Sequence, residues 1–293
     1  MPDVALIAEA VDFIEANLKA DIAVADMADA VSYSLYYFCR MFNQVTRHTP
    51  YDYLMRRRLS ESARALLETD RKIIDIALDY QFNSPETFSR AFKRMFGTQP
   101  SRLRKQESVD GRRLMPRLTR AHIVHINKGP YLRPVLEERD AFCVTGVMTW
   151  VRQDRAVVSE LWDLLARELE RGGRAPASGD YYGIATYPED WGERDFLYMA
   201  AVETQEPGLT GPALVSKRVP ALRYARFVHK GPTRDLPLTL DYVYHTWLPR
   251  SGERLVSSLV VECYGRELKD LDSEEAEREI CVPVEPEGGD EDS

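Results

Sequence analysis

Residues 257–265 read SSLVVECYG, and in a strand their alternation sends Glu262 and Tyr264 to one face and Val261 and Cys263 to the other. A carboxylate set among aromatic rings is costly unless a cation or hydrogen-bond donors meet it. The chemistry this suits is capture of a lipophilic cation, to which ring faces add cation–π attraction. Trp150, Trp162, Tyr242 and Trp247 are further candidates for the walls of such a site.

A second pattern carries different chemistry. SLYYFCRMFNQVTRHTP, residues 34–50, returns as SPETFSRAFKRMFGTQP, residues 84–100, with Ser34/Ser84, Phe38/Phe88, Arg40/Arg90, Phe42/Phe92 and Pro50/Pro100 each 50 apart. Ser34 and Ser84 are N-cap residues, and Pro85 suits the first helical position, where a missing N–H costs nothing. The phenylalanines lie one turn apart and share a buried face. Tyr36, Cys39, Arg40 and Asn43 then point outward in the first copy, and Glu86, Ser89, Arg90 and Lys93 in the second, with Pro85 and Thr87 completing the candidate DNA-contacting set. A shorter helix precedes each copy (VADMADAVSY, IIDIALDYQF), with Ala28/Ala77 and Tyr33/Phe82 now 49 apart. Helix, short turn, helix is the outline of a unit whose second helix can enter a DNA major groove.

These segments, DMADAVSYSLYYFCRMFNQVTRHTPYDYLMRRRL and IIDIALDYQFNSPETFSRAFKRMFGTQPSRLRK, resemble the DNA-binding domain of the AraC/XylS transcription regulators over about residues 4–106. The resemblance implies two helix-turn-helix units joined by a long helix, here about 50–69, and sequence-specific binding of double-stranded DNA; in a one-component regulator an effector would act either on that binding or on contact with RNA polymerase. One departure is visible: the turn glycine usual in that family is replaced by Ser32 and Gln81.

The net charge of −8 looks wrong for a DNA binder until it is divided along the chain. Residues 30–118 hold 17 Lys and Arg against 9 Asp and Glu, a net +8, whereas residues 119–293 hold 21 against 31, a net −10. The first 29 residues, with one Lys and seven acids, form an amphipathic capping helix with apolar Val4, Ile7, Val11, Ile14 and Leu18. For Arg56–Arg58 a solvated face and phosphate contact are equally good readings.

At 293 residues two domains are expected. The polar stretch 107–120, broken by Gly111 and Pro116, reads as a linker between residues 1–106 and 121–285, and residues 286–293 as a disordered acidic tail. The second domain repeats with a period of 80: DAFCVTGVM with PALRYARFV, AVVSELWDLLARELE with LPLTLDYVYHTWL, then YYGIATY with VECYG and FLYMAAVE with EREICVPV. The fold class is therefore an all-α double helix-turn-helix domain followed by an α+β domain of two βαββ repeats with a central cleft. The repeat brings Tyr182 toward the axis that Glu262 faces.

VPALRYARFVHKGP, YHTWLPRSGE, VVECYG and ICVPV give residues 133–285 a resemblance to the gyrase-inhibitor-like small-molecule-binding domain, found also in Rob-type AraC regulators. It implies a small-molecule effector and places Glu262 in the cleft. Some members hydrolyse small electrophiles with a cleft glutamate and tyrosine, so Glu262 with Tyr182 or Tyr264 as general base and hydrogen-bond donor is the alternative to a sensor.

No run of 18 apolar residues and no signal pattern occur, so a cytoplasmic protein without membrane contact is expected. Cys39, Cys143, Cys263 and Cys281, with His48, His122, His125, His229 and His245, have spacings that suit neither a disulfide framework nor a zinc site. Buried small hydrophobes are the reading for the cysteines, except for outward-facing Cys39, where redox sensing is the alternative and Arg40 is the one neighbour in sequence that could favour a thiolate. No cofactor is called for, and monomer and homodimer both fit the sequence.

Overall fold

The computed structural model describes residues 2–128, 132–152, 156–171, 180–188, 195–204, 211–266, 268 and 271–287. The chain divides into two compact units, residues 1–129 with 238–249, and residues 130–237 with 250–293.

The first unit is helical: α1 (Pro2–Ala16), α2 (Val24–Asp29), α3 (Leu35–Thr46), α4 (Pro50–Glu68), α5 (Ile73–Asp79), α6 (Pro85–Phe96), α7 (Pro100–Gln106) and α8 (Arg120–Ile126). Val4, Ile7, Val11, Ile14 and Leu18 are all buried, as their 3.6-residue period requires. Two cores form. One joins α1 to Phe38, Met41, Phe42, Tyr53 and Leu54, and the other joins Leu59, Ala63 and Leu66 to Ile76, Phe88, Phe92 and Leu103. Helix α4 runs through both and so holds the two helix-turn-helix units together.

Residues 107–120 are not a free linker. Met115 and Leu118 are buried in the first core together with Ile123 of α8. The Met115 carbonyl accepts from Arg57 Nη1 at 2.6 Å, and Leu118 N–H donates to the Tyr53 hydroxyl at 3.2 Å. Helix α8, assigned from sequence to the second domain, packs on α1 and α3.

The second unit is one antiparallel sheet ordered β1-β6-β9-β8-β3-β4-β2-β5, with β7 (Glu253–Leu255) on β9. Its first half comprises β1 (Val135–Arg139), β2 (Phe142–Val151), α9 (Ala156–Arg171), β3 (Tyr181–Thr186) and β4 (Phe196–Thr204). Its second comprises β5 (Val215–Val219), β6 (Leu222–Lys230), β8 (Leu259–Gly265) and β9 (Glu277–Pro286); α10 (Leu236–Tyr242), a π-helical turn (Val243–Trp247) and α11 (Leu248–Ser251) stand at the place of α9 in the repeat, but residues 238–249 of them group with the first unit. The repeats meet at β3 and β8, where Gly183 pairs with Glu262. The period of 80 extends one strand further than expected, to β1 and β5, and these two are exchanged: β1 pairs with β6 and β5 with β2. The segment read as a tail starts inside β9, since Pro286 ends that strand and Glu287 N–H donates to the Gly252 carbonyl at 2.7 Å; residues 288–293 lie outside the described residues.

Candidate DNA interface and effector site

Each recognition helix is set by the same local bonds. Ser34 Oγ accepts from Tyr37 N–H at 3.4 Å, and Ser84 Oγ from Thr87 N–H at 3.2 Å. In the turns before them, Tyr33 N–H reaches the Ala28 carbonyl and Phe82 N–H the Ala77 carbonyl, both at 3.0 Å. Ser32 and Gln81 occupy the glycine positions at φ 57° and 63°, so the turn keeps its left-handed residue in spite of the side chains. Gln81 Nε2 bonds the Lys19 carbonyl at 2.6 Å, a local compensation.

Tyr36, Arg40 and Asn43 of α3 are exposed, as are Pro85, Glu86, Thr87, Arg90 and Lys93 of α6. Ser89 is half-buried. Cys39 is half-buried too and packs against the first core, so it does not belong to the outward face. Thr87 Oγ1 is turned to the Ser84 carbonyl at 2.9 Å and serves the helix start. The sequence readings of Arg57 and Arg58 both fail, because these side chains are buried. Arg57 grips the Glu15 carboxylate with Nε at 2.8 Å and Nη2 at 2.9 Å, while Arg58 donates to the Leu18 and Ala20 carbonyls at 2.8 and 2.7 Å. Arg57 ties α1, and Arg58 the turn that follows it, to α4, and Arg56 is paired with Asp52 at 3.0 Å. The exposed basic residues of the two helices are Arg40 of α3 and Arg90, Lys93 and Arg94 of α6.

In the second unit Glu262 is 3% exposed. Its Oε2 accepts from the Tyr198 hydroxyl at 3.1 Å and from the Tyr264 hydroxyl, and the two phenols stand 3.3 Å apart. The phenols are both pushed far above their ordinary pKa, by burial first and the Glu262 charge second, so they remain donors. Among the described residues no Lys, Arg or His nitrogen lies within 4.0 Å of the Glu262 carboxylate. Trp162 of α9 meets Tyr264 edge-on at 5.0 Å, and its buried indole N–H has no hydrogen-bond partner among the described residues. The buried Arg278 reaches the same Tyr264 hydroxyl that bonds Glu262, its Nη1 3.3 Å from that oxygen and its guanidinium 5.2 Å from the ring centre, so a cation stands one hydroxyl removed from the carboxylate.

Of the expected wall, only Trp162 and Tyr264 gather round Glu262. Tyr182 pairs with Cys263 across β3 and β8, so alternation puts it on the opposite face, where its hydroxyl meets Glu203 at 3.3 Å. Trp150 follows it, paired with Leu197 on that same opposite face, and is 54% exposed. Tyr242 and Trp247 are residues of the first unit. Tyr198 was missed, although Gly183 inside a strand signalled it: a Cβ there would stand 2.2 Å from the Tyr198 hydroxyl.

An all-α double helix-turn-helix unit followed by a duplicated βαββ sheet with a buried glutamate defines a two-part architecture of regulatory type. Residues 27–106 match a helix-turn-helix domain, and residues 134–285, more than half the chain, match the GyrI-like small molecule binding domain. The chain belongs to the AraC-type helix-turn-helix proteins that carry a GyrI-like domain. It is 38% identical to the regulatory protein SoxS of Escherichia coli K12 over 96 residues, 33% of this chain and 90% of SoxS. It is 39% identical to the right origin-binding protein of the same strain over 105 residues, 36% of each chain. The matched stretch thus spans about a third of that relative's length. The EcmrR C-terminal domain is similar to the second unit at 21% identity, covering 52% of this chain and 97% of that one with a TM-score of 0.42.

Proposed function

We propose that the chain is a ligand-responsive transcription regulator: its two recognition helices read double-stranded DNA, and the Glu262 site binds a small aromatic or amphipathic cation. The observation that carries the reading is a buried carboxylate that, among the described residues, has phenol donors and no cation in direct contact, with the Trp162 ring packed against one of those phenols. Such a group attracts a desolvated cation far more strongly than it would in water. The segment that follows β6 in the second repeat, residues 238–249, is built into the first unit, and this gives ligand occupancy a covalent route to the DNA-binding helices.

Glu262→Gln keeps the shape and removes the charge. It should weaken cationic aromatics by roughly 10- to 100-fold and neutral aromatics of matched size by less than about threefold, while leaving DNA binding of the unliganded protein unchanged. Calorimetry with both ligand sets measures this. Loss of turnover of an electrophile with its binding intact would favour the hydrolase reading, and unchanged cation affinity would remove Glu262 from the site.

A further inference from the structure

Behind Glu262, on the other face of the sheet, lies chemistry that neither DNA reading nor cation binding uses. Cys263 of β8 and Cys281 of β9 bring their sulfurs to 4.0 Å, and Arg139 Nη1 donates to both, at 3.3 Å to Cys263 and 3.5 Å to Cys281. We propose that Cys263 and Cys281 form a peroxide-responsive dithiol that closes to a reversible disulfide, with Arg139 as the cation that activates it.

The register makes the pair. Val261 faces Cys281 and Cys263 faces Glu279, so the two cysteines are diagonal neighbours on one side of adjacent antiparallel strands. Their sulfurs need to close by about 2 Å to reach bonding distance. The strand is placed to allow it: pairing between β8 and β9 ends at Cys263, and the register with β3 shifts at Tyr181/Tyr182, leaving a bulge beside that cysteine. The pair is also asymmetric. Cys263 is half-buried and Cys281 fully buried, so an oxidant meets Cys263 first. The hydrogen bond from Cys281, then the contact with Arg139, hold the Cys263 thiol below its ordinary pKa against burial, while Cys281, as the donor in that bond, is pushed up. One sulfur is a nucleophile and the other keeps its proton, the division of labour in an attacking and resolving pair.

The chemistry balances with hydrogen peroxide as the named oxidant. The Cys263 thiolate attacks one peroxide oxygen, the O–O bond breaks, and the departing hydroxide takes a proton to leave as water, giving a sulfenic acid. The Cys281 sulfur then attacks the Cys263 sulfur, the S–O bond breaks, and the hydroxide leaves with the Cys281 proton as a second water. Two thiols lose two electrons and two protons, and a dithiol reductant reverses the step by exchange.

The test treats the full chain with hydrogen peroxide, alkylates the remaining thiols, and digests with trypsin. The expected product joins the peptides 255–266 and 279–293 through one disulfide, with Cys39 and Cys143 still alkylated and the link lost on reduction. Cys281→Ser should leave Cys263 as a sulfenic acid trapped by a dimedone probe, whereas Cys263→Ser should leave Cys281 unoxidised. Arg139→Gln should slow Cys263 oxidation about tenfold at pH 7 with the difference vanishing near pH 10, and Arg139→Lys should stay within about threefold of the parent. Absence of the linked peptide, or oxidation of Cys39 or Cys143 before Cys263, overturns the proposal. Equal rates in the parent and Arg139→Gln at pH 7 overturn it too, since the activating cation is part of it.

Discussion

Arg40 and Arg90 stand 50 residues apart in sequence at equivalent outward positions of two recognition helices, and both are exposed. An arginine so placed can bond guanine O6 and N7 together. Arg40→Ala and Arg90→Ala should each cost about 1–3 kcal/mol of DNA binding and relax preference at one defined base pair. Selection from random duplexes reads this directly, and a uniform loss over all sequences would make them phosphate contacts. At this scale the sequence was most legible where one element decides the outcome. Glu262 and Tyr264 share a face because alternation is local. Arg57 looked like part of a charge run because its partners are remote, Glu15 lying 42 residues before it and Met115 58 after. Cys39 failed in a smaller way: helical spacing gives a direction, but the width of the buried stripe depends on what packs against it.

The helix-turn-helix units show how an element tolerates a residue it does not prefer. A side chain in the left-handed region costs about 1–2 kcal/mol, and glycine there avoids most of that at some cost in chain entropy. Ser32 is exposed at φ 57°, so Ser32→Gly should stabilise the protein by about 0.5–1 kcal/mol. Gln81 differs, because its amide bonds the Lys19 carbonyl at 2.6 Å, and Gln81→Gly should be close to neutral once that bond is lost. Urea midpoints of the two variants check the pair, and a stabilisation of Gln81→Gly equal to that of Ser32→Gly would show that the Lys19 contact contributes nothing. The helices and their caps were readable because periodicity and capping are written in neighbouring residues. The period of 80 was readable as well, yet the exchange of β1 and β5 between halves was not. Which edge a strand joins is settled by the whole sheet, and both strands carry similar alternation.

For the molecule as a whole, the boundary between units was the feature least visible in sequence. Composition placed it at 107–120, where charge and proline interrupt periodicity, but Met115, Leu118 and Ile123 are three apolar residues that the first core needs. A fragment ending at 110 lacks all three, so it should melt well below a fragment of residues 1–129, and both should lose DNA affinity steeply with salt as counterions are released. Equal melting temperatures would mean that the segment only rests on a core complete without it.

The other addition to the first unit comes from residues 238–249, and histidines hold it. His48 Nε2 meets Thr246 Oγ1 at 3.0 Å, His122 Nε2 meets Asp241 Oδ2 at 3.0 Å, and His125 Nε2 meets Thr239 Oγ1 at 2.8 Å. Within the same seam His245 is buried, and burial lowers its pKa from 6.5 to about 4 although Asp241, 4.0 Å away, pulls the other way; Arg56, His48 and His122 add to the lowering. The folded value lies below the unfolded one, so on acidification the unfolded chain takes up the proton first. The His245 contribution is therefore fully present above pH 6.5 and is lost progressively as the pH falls to about 4, about 3 kcal/mol in all. His245→Gln, which cannot titrate, should flatten the loss of unfolding free energy between pH 6.5 and 4 by about one proton's slope, as measured by denaturant titration at half-unit steps. A parent and variant with parallel pH profiles would show that His245 is protonated in the folded protein and that the seam opens to admit the charge.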